Sequence, residues 1–225
     1  MNDHAKQVCV SEFDARKMPE RYVAYLKNRD NLATMAVEGI SVDIFPGVFP
    51  PATDTRLLAC NLKPYIHKEG VRVLDIASGS GVLAMLAGLY GASGLAVDIS
   101  ATAVENSNHN FHKYDVSFVA MQSDVFDHMP LQKFETILAT PPYLDGKVVD
   151  PLDYAIYGTS HFVDSLLENA RNYLAVDGKM LVTYAKWGLI GKFEHKLVAH
   201  RWRFRVIGTK TSADGQRQYD LYEIW

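Results

Sequence analysis

Short apolar runs alternate with segments of helical periodicity from Arg72 onward, and this alternation restricts the fold more than any other feature of the chain. Helical segments at Val82 to Tyr90 and at Ala101 to His112 separate three apolar runs, which are VRVLDIA, GLAVD and VSFVAMQ. Strands that alternate with helices predict a parallel sheet with helices on both of its faces. Because these runs are apolar on both faces, as strands between two helical layers should be, we expect every one of them to be buried.

The second half of this region continues the alternation and then departs from it. The apolar runs FETILA and KMLVTYA flank an amphipathic helical segment, HFVDSLLENARNYL. At the end of the chain, RWRFRVIGT and QYDLYEIW flank a loop whose ADG is a turn signal, which predicts an antiparallel hairpin. The whole pattern therefore predicts an α/β fold, with a doubly wound, mostly parallel sheet of seven strands that ends in a C-terminal antiparallel hairpin.

Residues 1–40 do not follow this pattern, and we predict that they form a short N-terminal helical cap. The segment MPERYVAYLKNRDNLATMAVEG is typical of one or two short helices. A segment of this length is too short to fold alone, so we expect it to lie against the main domain, residues 41–225.

The composition excludes several classes of protein. A net charge of −3 gives no global signal for binding duplex nucleic acid. Cys9 and Cys60 form neither a disulfide framework nor a metal-binding spacing, and the eight histidines form no ligand pattern, so we predict no metal. The polar N-terminus lacks a signal core, and the uncharged run from Gly81 to Val97 is too short to cross a membrane. We therefore expect a cytoplasmic protein.

The segment VLDIASGSGVLA places a glycine-rich turn between the first strand and the first helix of the predicted sheet. Gly79 and Gly81 would let a ligand approach the backbone closely, and the following helix N-terminus favours polar or anionic groups. Together with Ala84, these glycines also fit the spacing of the dinucleotide fingerprint. Many such turns use glycine for geometry alone, so the loop by itself is a weak signal.

Three acids lie at the carboxyl ends of successive predicted strands, namely Asp75, Asp98 and Asp124. In an open parallel sheet these ends border one crevice. Asp98 follows Gly79 by 19 positions, where a carboxylate can accept hydrogen bonds from ribose hydroxyls. A lone acid is more often a helix cap, but three acids beside a glycine loop predict a nucleoside site. Asp75 would oppose a pyrophosphate, whereas an acidic rim suits the ammonium and sulfonium of S-adenosylmethionine.

Three segments resemble the class I S-adenosylmethionine-dependent methyltransferases of the small-domain kind. LDIASGSG matches their donor loop, FPGVFPPATDTRLLA (Phe45 to Ala59) matches the segment before their first core helix, and TPPY (Thr140 to Tyr143) stands where they have Asn-Pro-Pro-Tyr. The resemblance covers roughly Ile40 to the C-terminus, and it is greatest to the release-factor glutamine methyltransferases and their relatives that modify RNA or DNA amino groups. It implies a Rossmann-like methyltransferase fold and S-adenosyl-L-methionine as cofactor.

The resemblance also implies the site residues. The donor would be bound by residues at the glycine loop, at the next two strand ends and at the elbow formed by TPPY: Asp75, Ala77, Gly79, Gly81, Asp98, Ile99, Asp124, Val125 and Thr140. In the family, the Asn side chain and the first proline carbonyl accept from the N–H bonds of a planar amine, and the aromatic ring stacks on it. The corresponding catalytic residues here are Thr140, Pro141 and Tyr143. The prolines fix φ and lack N–H groups, so that carbonyls face the substrate.

The residues leave three hypotheses open. The leading one is a methyltransferase that acts on a planar amide or amino nitrogen of a protein, an RNA or DNA, or a small molecule, although Thr140 in place of Asn also admits an oxygen acceptor. The second is an NAD-linked oxidoreductase, which explains neither TPPY nor the terminal hairpin. The third is a non-catalytic S-adenosylmethionine-binding protein, for which Thr140 is the best support.

Two further groups of residues bear on the methyl acceptor. Seven basic residues and one acid lie between Lys186 and Lys210, which fits a phosphate-tracking stripe or, as we favour, a solvated face that protects a sheet edge. The segment after TPPY is acidic, which suits a protein or small-molecule acceptor better than a polyphosphate; its acids are Asp145, Asp150 and Asp153. Tyr154 and Tyr157 are candidates for the acceptor pocket, although plain packing is the favoured interpretation.

Overall fold

The computed structural model describes residues 31–143, 151–186, 190–213, 215 and 217–225. The described strands are β1 (Ala33–Val37), β2 (Ile40–Ile44), β3 (Arg72–Ile76), β4 (Ser93–Asp98), β5 (Phe118–Gln122), β6 (Phe134–Ala139), β7 (Leu174–Ala185), β8 (Phe204–Thr211) and β9 (Gln218–Ile224). The described α-helices are α1 (Thr53–Asn61), α2 (Val82–Leu89), α3 (Ala101–Lys113), α4 (Thr159–Tyr173) and α5 (Ile190–Ala199). Short 3-10 turns lie at Lys63–Tyr65 and Pro151–Ala155.

Seven strands form the central sheet, in the order β5-β4-β3-β6-β7-β9-β8. The first five of these are parallel to one another, whereas β9 runs antiparallel to both β7 and β8. The predicted doubly wound, mostly parallel α/β fold with a terminal hairpin is confirmed. The chain order reverses direction between β3 and β6, and ligands of such sheets bind beyond the carboxyl ends of the strands at that point.

Helices cover both faces of the sheet. Helices α1, α2 and α3 pack on one face, and α4 and α5 pack on the other. Successive side chains of a strand point to opposite faces, so neighbours such as Val73 and Leu74 enter different cores, and both are 0% exposed. This two-sided burial explains why the central strands β3 and β6 are apolar on both faces. The expectation that every apolar run is buried is wrong for β5, which lies at the edge of the sheet and leaves Val119 59% exposed. None of the helices in the described ranges combines the length and the apolar character that a membrane crossing requires.

The prediction of a helical cap is wrong where it reaches the described residues. Strands β1 and β2 pair antiparallel as a hairpin, which lies on both sides of the expected domain boundary at residue 40. Glu38 and Gly39 connect them with φ of 46° and 81°, the conformation that two-residue hairpin turns require. Three residues of this hairpin are fully buried in the core: Val37, Val42 and Ile44. Residues 1–30 of the predicted cap lie outside the described residues.

Candidate active site

A cavity of about 840 Å³ opens at the carboxyl ends of β3, β4, β5 and β6. This volume lies within the range of small-molecule and cofactor sites. Nine of the predicted site residues line it: Ala77, Gly79, Asp98, Ile99, Asp124, Val125, Thr140, Pro141 and Tyr143. The donor loop and the elbow therefore face the same space, as the position of β3 beside β6 dictates.

Asp98 holds the donor loop in place with both of its carboxylate oxygens. Oδ2 accepts a 2.9 Å hydrogen bond from the N–H of Gly79, and Oδ1 accepts one of 2.9 Å from the N–H of Ser100. Burial raises the pKa of this carboxyl group, and the backbone hydrogen bonds oppose that rise. Each carboxylate oxygen has a second acceptor position, so Asp98 can also accept hydrogen bonds from hydroxyl groups in the cavity.

The two glycines of the loop have different roles. Gly79 lines the cavity with φ of 55°, and a Cβ built on it would meet only the carbonyl oxygen of Phe49, at 3.9 Å. Gly81 is not among the residues that line the cavity, so its contact with the cofactor stays a prediction. A Cβ on Gly81 would lie 2.8 Å from the ring of Phe111 and from the hydroxyl of Ser107, both on α3. Glycine is needed there because φ is 75° and α3 packs closely against the loop.

Asp75 is also not among the residues that line the cavity, so its contact with the cofactor stays a prediction. Its side chain is 1% exposed and accepts a 3.1 Å hydrogen bond from the N–H of Ala84, in the first turn of α2. Burial, together with the charge of Asp98, raises the pKa of Asp75 to about 7. The carboxyl group of Asp75 thus caps α2. Because it does not line the cavity, it would not contact a pyrophosphate bound there, and the expected repulsion no longer distinguishes the two cofactors.

Two non-glycine residues that line the cavity, one after β3 and one after β5, have a left-handed backbone conformation. Ala77 has φ of 58° and Val125 has φ of 51°, and both line the cavity. For a β-branched residue such as valine this conformation is a genuine outlier. Strained conformations of this kind persist only where the surrounding structure enforces them, and they cluster at functional sites.

Asp124 is paired with a residue that the sequence did not indicate. Its Oδ2 lies 3.0 Å from Nε2 of His161, which projects from α4, and both residues line the cavity. The contact joins the end of β5 to α4 beside the donor loop. Within the described ranges, no three histidine, cysteine, aspartate or glutamate side chains lie together as a potential metal site.

The elbow after β6 presents Thr140, Pro141, Pro142 and Tyr143 to the cavity. Pro141 and Pro142 are buried, and Thr140 is partly buried. The hydroxyl of Thr140 makes no side-chain hydrogen bond in the part of the chain that the structure describes. It is therefore available to a ligand.

Tyr143 is anchored through its hydroxyl group. The hydroxyl donates a 2.8 Å hydrogen bond to Oδ2 of Asp54 in α1, and it lies 3.0 Å from the hydroxyl of Thr183 in β7. The rings of Tyr184 and Tyr219 pack against it, with centroids at 5.9 Å and 5.6 Å. Burial and the nearby charge of Asp54 raise the pKa of Tyr143 well above its usual range. The ring thus forms a fixed part of the cavity wall.

Sequence reasoning missed several residues that line the cavity: Asp54, Arg56, His161, Arg217 and Tyr219. Asp54 and Arg56 lie in the segment FPGVFPPATDTRLLA, which resembles the methyltransferase family, and this resemblance could have indicated them. Arg217 and Tyr219 come from the terminal hairpin, whose distance along the chain hid them. Tyr154 and Tyr157, the candidates for the acceptor pocket, also line the cavity.

Comparison with known proteins gives one consistent result. The sequence pattern of a family described as methyltransferase small domain matches residues 41–200. A protein of Methanocaldococcus jannaschii, assigned as a protein N5-glutamine methyltransferase, is 32% identical over 150 residues, which cover 63% of this chain and 74% of that protein. A release factor glutamine methyltransferase of Agrobacterium fabrum is 31% identical over 124 residues, which cover 51% of this chain and only 43% of that protein.

A solved structure has the same fold. It is a 16S rRNA N2 methyltransferase of Thermus thermophilus in complex with AdoMet and guanosine, and its TM-score is 0.63 at 18% sequence identity. The match covers 86% of this chain and 49% of that chain.

Proposed function

Because the chain belongs to the methyltransferase small-domain family and uses S-adenosyl-L-methionine as its methyl donor, we propose that it methylates the side-chain amide of a glutamine in a protein. The observation that carries this proposal is the position of the elbow, Thr140 to Tyr143, which lines the same cavity as the donor loop. The matched proteins are methyltransferases, which favours this function over an NAD-linked oxidoreductase or a non-catalytic binding protein.

The donor side of the cavity fits S-adenosyl-L-methionine. When bound, this cofactor supplies an electrophilic methyl group on a positively charged sulfur. Asp98 would accept hydrogen bonds from its ribose hydroxyls, and Gly79, which has no side chain and lines the cavity, would let the donor approach the backbone closely. Asp98 and Asp124 also give this side a negative charge, which suits a cation. Ala77, Ile99 and Val125 would complete the wall around the donor.

The acceptor side would act by positioning. An amide nitrogen is a weak nucleophile because its lone pair is delocalised, so its N–H bonds must be held by acceptors in line with the methyl group. The hydroxyl of Thr140 and the carbonyl of Pro141 are the proposed acceptors, and the anchored ring of Tyr143 would support the planar amide. Holding the nitrogen in this geometry lowers the entropic part of the barrier, and fixed dipoles contribute the rest.

Charge pairing favours a protein acceptor over RNA. Three of the seven basic residues between Lys186 and Lys210 are engaged with acids: Lys186 with Asp220, Lys196 with Asp164 and Arg205 with Glu223. Paired cations contribute less to a phosphate-binding stripe. Asp145 and Asp150 of the acidic segment lie outside the described residues, and Asp153 is buried. A cytoplasmic location is part of the same proposal, since the matched A. fabrum relative is named for a release factor.

Labelling of a cell lysate tests the proposal. The protein is incubated with the lysate and donor carrying a radioactive methyl group, and the products are digested with protease or nuclease. We expect the label to follow protease digestion, and acid hydrolysis to release labelled methylamine, because hydrolysis of an N-methyl amide frees that amine. Label that follows nuclease digestion would contradict a protein acceptor. The Asp98→Ala variant, which should lose donor affinity, is the control for contaminating enzymes.

A further inference from the structure

Arg56 is a positively charged residue of the cavity wall that the proposed reaction does not use. It lies in the first two turns of α1, is partly buried and lines the cavity. Its guanidinium group forms no ion pair and no hydrogen bond within the part of the chain that the structure describes. A guanidinium group presents five N–H donors, and leaving them partly desolvated is unfavourable unless a ligand accepts from them.

None of the carboxylates that line the cavity forms an ion pair with Arg56 in the part of the chain that the structure describes, and each is held by other groups. Asp54 accepts from the hydroxyl of Tyr143 and from the N–H of Thr55. Asp98 holds the donor loop, and Asp124 is paired with His161. Arg56 therefore brings to the cavity a guanidinium group that no carboxylate of the described residues contacts directly.

Two other features add positive potential to the same wall. Arg217, the residue before β9, also lines the cavity and is only 6% exposed. Helix α1 begins at the cavity wall, and a helix N-terminus carries a partial positive charge. The two arginines that line the cavity thus lie in α1 and directly before β9.

We propose that Arg56 binds a carboxylate group of the methyl acceptor, so that the preferred acceptor carries an acid close to the amide that is methylated. This inference rests on the proposed function and deepens it by defining the acceptor. Arginine suits this role because its planar fork matches a carboxylate with two parallel hydrogen bonds. A phosphate dianion fits less well, since Asp54, Asp98 and Asp124 line the same cavity and would repel the larger charge.

A binding experiment tests the proposal without requiring turnover. The protein, saturated with S-adenosylhomocysteine, is titrated by NMR with acetyl-Glu-Gln-amide, acetyl-Gln-Glu-amide and the neutral acetyl-Gln-Gln-amide. We expect at least one acidic peptide to bind about tenfold more tightly than the neutral one, because a charge-assisted hydrogen bond contributes roughly that much to affinity. Arg56→Gln should abolish this preference, and Arg56→Lys should retain part of it. Arg203→Gln is the matched control, because Arg203 is exposed and does not line the cavity.

Further probes identify the source of the carboxylate. N-acetylglutamine that binds as tightly as the acidic peptides would indicate a small-molecule acceptor, and weaker binding would indicate an acidic side chain of a protein. Equal binding of acidic and neutral peptides, or no binding of any of them, would overturn the proposal. So would tighter binding of acetyl-phosphoserine-Gln-amide than of acetyl-Glu-Gln-amide.

The proposal and the proposed function fail in different ways. If Arg56→Gln leaves the amount of protein-borne label in the lysate unchanged, glutamine methylation would still be supported, but the role of Arg56 would be contradicted. If the label follows nuclease digestion but acidic peptides still bind in a way that depends on Arg56, the carboxylate site would be supported and the glutamine acceptor contradicted.

Discussion

The hydroxyl of Tyr143 donates a 2.8 Å hydrogen bond to the carboxylate of Asp54, and this contact joins the elbow after β6 to the first turn of α1. The two residues are 89 positions apart in the sequence. Asp54 is 9% exposed, and burial raises the pKa of its carboxyl group. The contact thus fixes the ring of Tyr143 on the cavity wall and gives a buried acid one of its hydrogen bonds.

Replacing Tyr143 with phenylalanine should therefore lower both stability and turnover. The ring remains, but Asp54 and Thr183 lose a buried partner, which costs about 1–3 kcal/mol in the free energy of unfolding. Urea denaturation measures this loss. Tyr154→Phe is the matched control, because Tyr154 lines the same cavity but is 40% exposed. Equal stability of Tyr143→Phe and wild type would show that the hydroxyl does not anchor the elbow.

Asp98 and Asp75 should differ in their effect on donor binding. Asp98→Asn removes a charged acceptor from the cavity, and we expect affinity for S-adenosylhomocysteine to fall by roughly 10- to 100-fold. Asp75→Asn should change this affinity little, because the side chain caps α2 outside the cavity. Calorimetric titration of both variants measures the difference. A larger loss for Asp75→Asn than for Asp98→Asn would contradict the assignment of Asp98 as the donor-binding acid.

Asp75 should also make stability depend on pH. Its pKa is raised to about 7 in the folded protein, whereas an unfolded aspartate titrates near 3.9. Between these values the folded state binds more protons than the unfolded state, so the contribution of Asp75 to stability falls as pH rises from about 4 to about 7. The free energy of unfolding of wild type relative to Asp75→Asn should decrease over this range and level off above it. Urea denaturation at several pH values measures it, and a constant difference would contradict the prediction.

Variants of Thr140 test whether the hydroxyl group of this residue holds the methyl acceptor. Thr140→Val keeps the shape and removes the hydroxyl, and we expect single-turnover methylation to slow by on the order of a hundredfold with little change in donor affinity. Thr140→Asn restores the amide of the family and should retain or raise activity on a planar amide. Equal rates for wild type and Thr140→Val would leave the proline carbonyl and Tyr143 as the only parts of the elbow with a role in positioning.

The sequence by itself determined the parts of this protein that local patterns encode. The strands of the sheet, the amphipathic helix α4 and the terminal hairpin follow from apolar periodicity and turn residues that act over a few positions. The glycine turn after β3 and the elbow after β6 were found in the same way, because a parallel sheet brings the carboxyl ends of its strands to one edge.

Only the tertiary structure decided what depends on contacts between distant segments. Asn110 of α3, which is fully buried, donates to the carbonyls of Asp43 in β2 and Ser80 in the donor loop, and thereby holds a hairpin that helical periodicity did not predict. The same dependence placed Asp75 at the first turn of α2 and Arg56 on the wall of the cavity. A side chain's partner in these cases comes from another element of the fold, and local propensity carries no information about which element packs there.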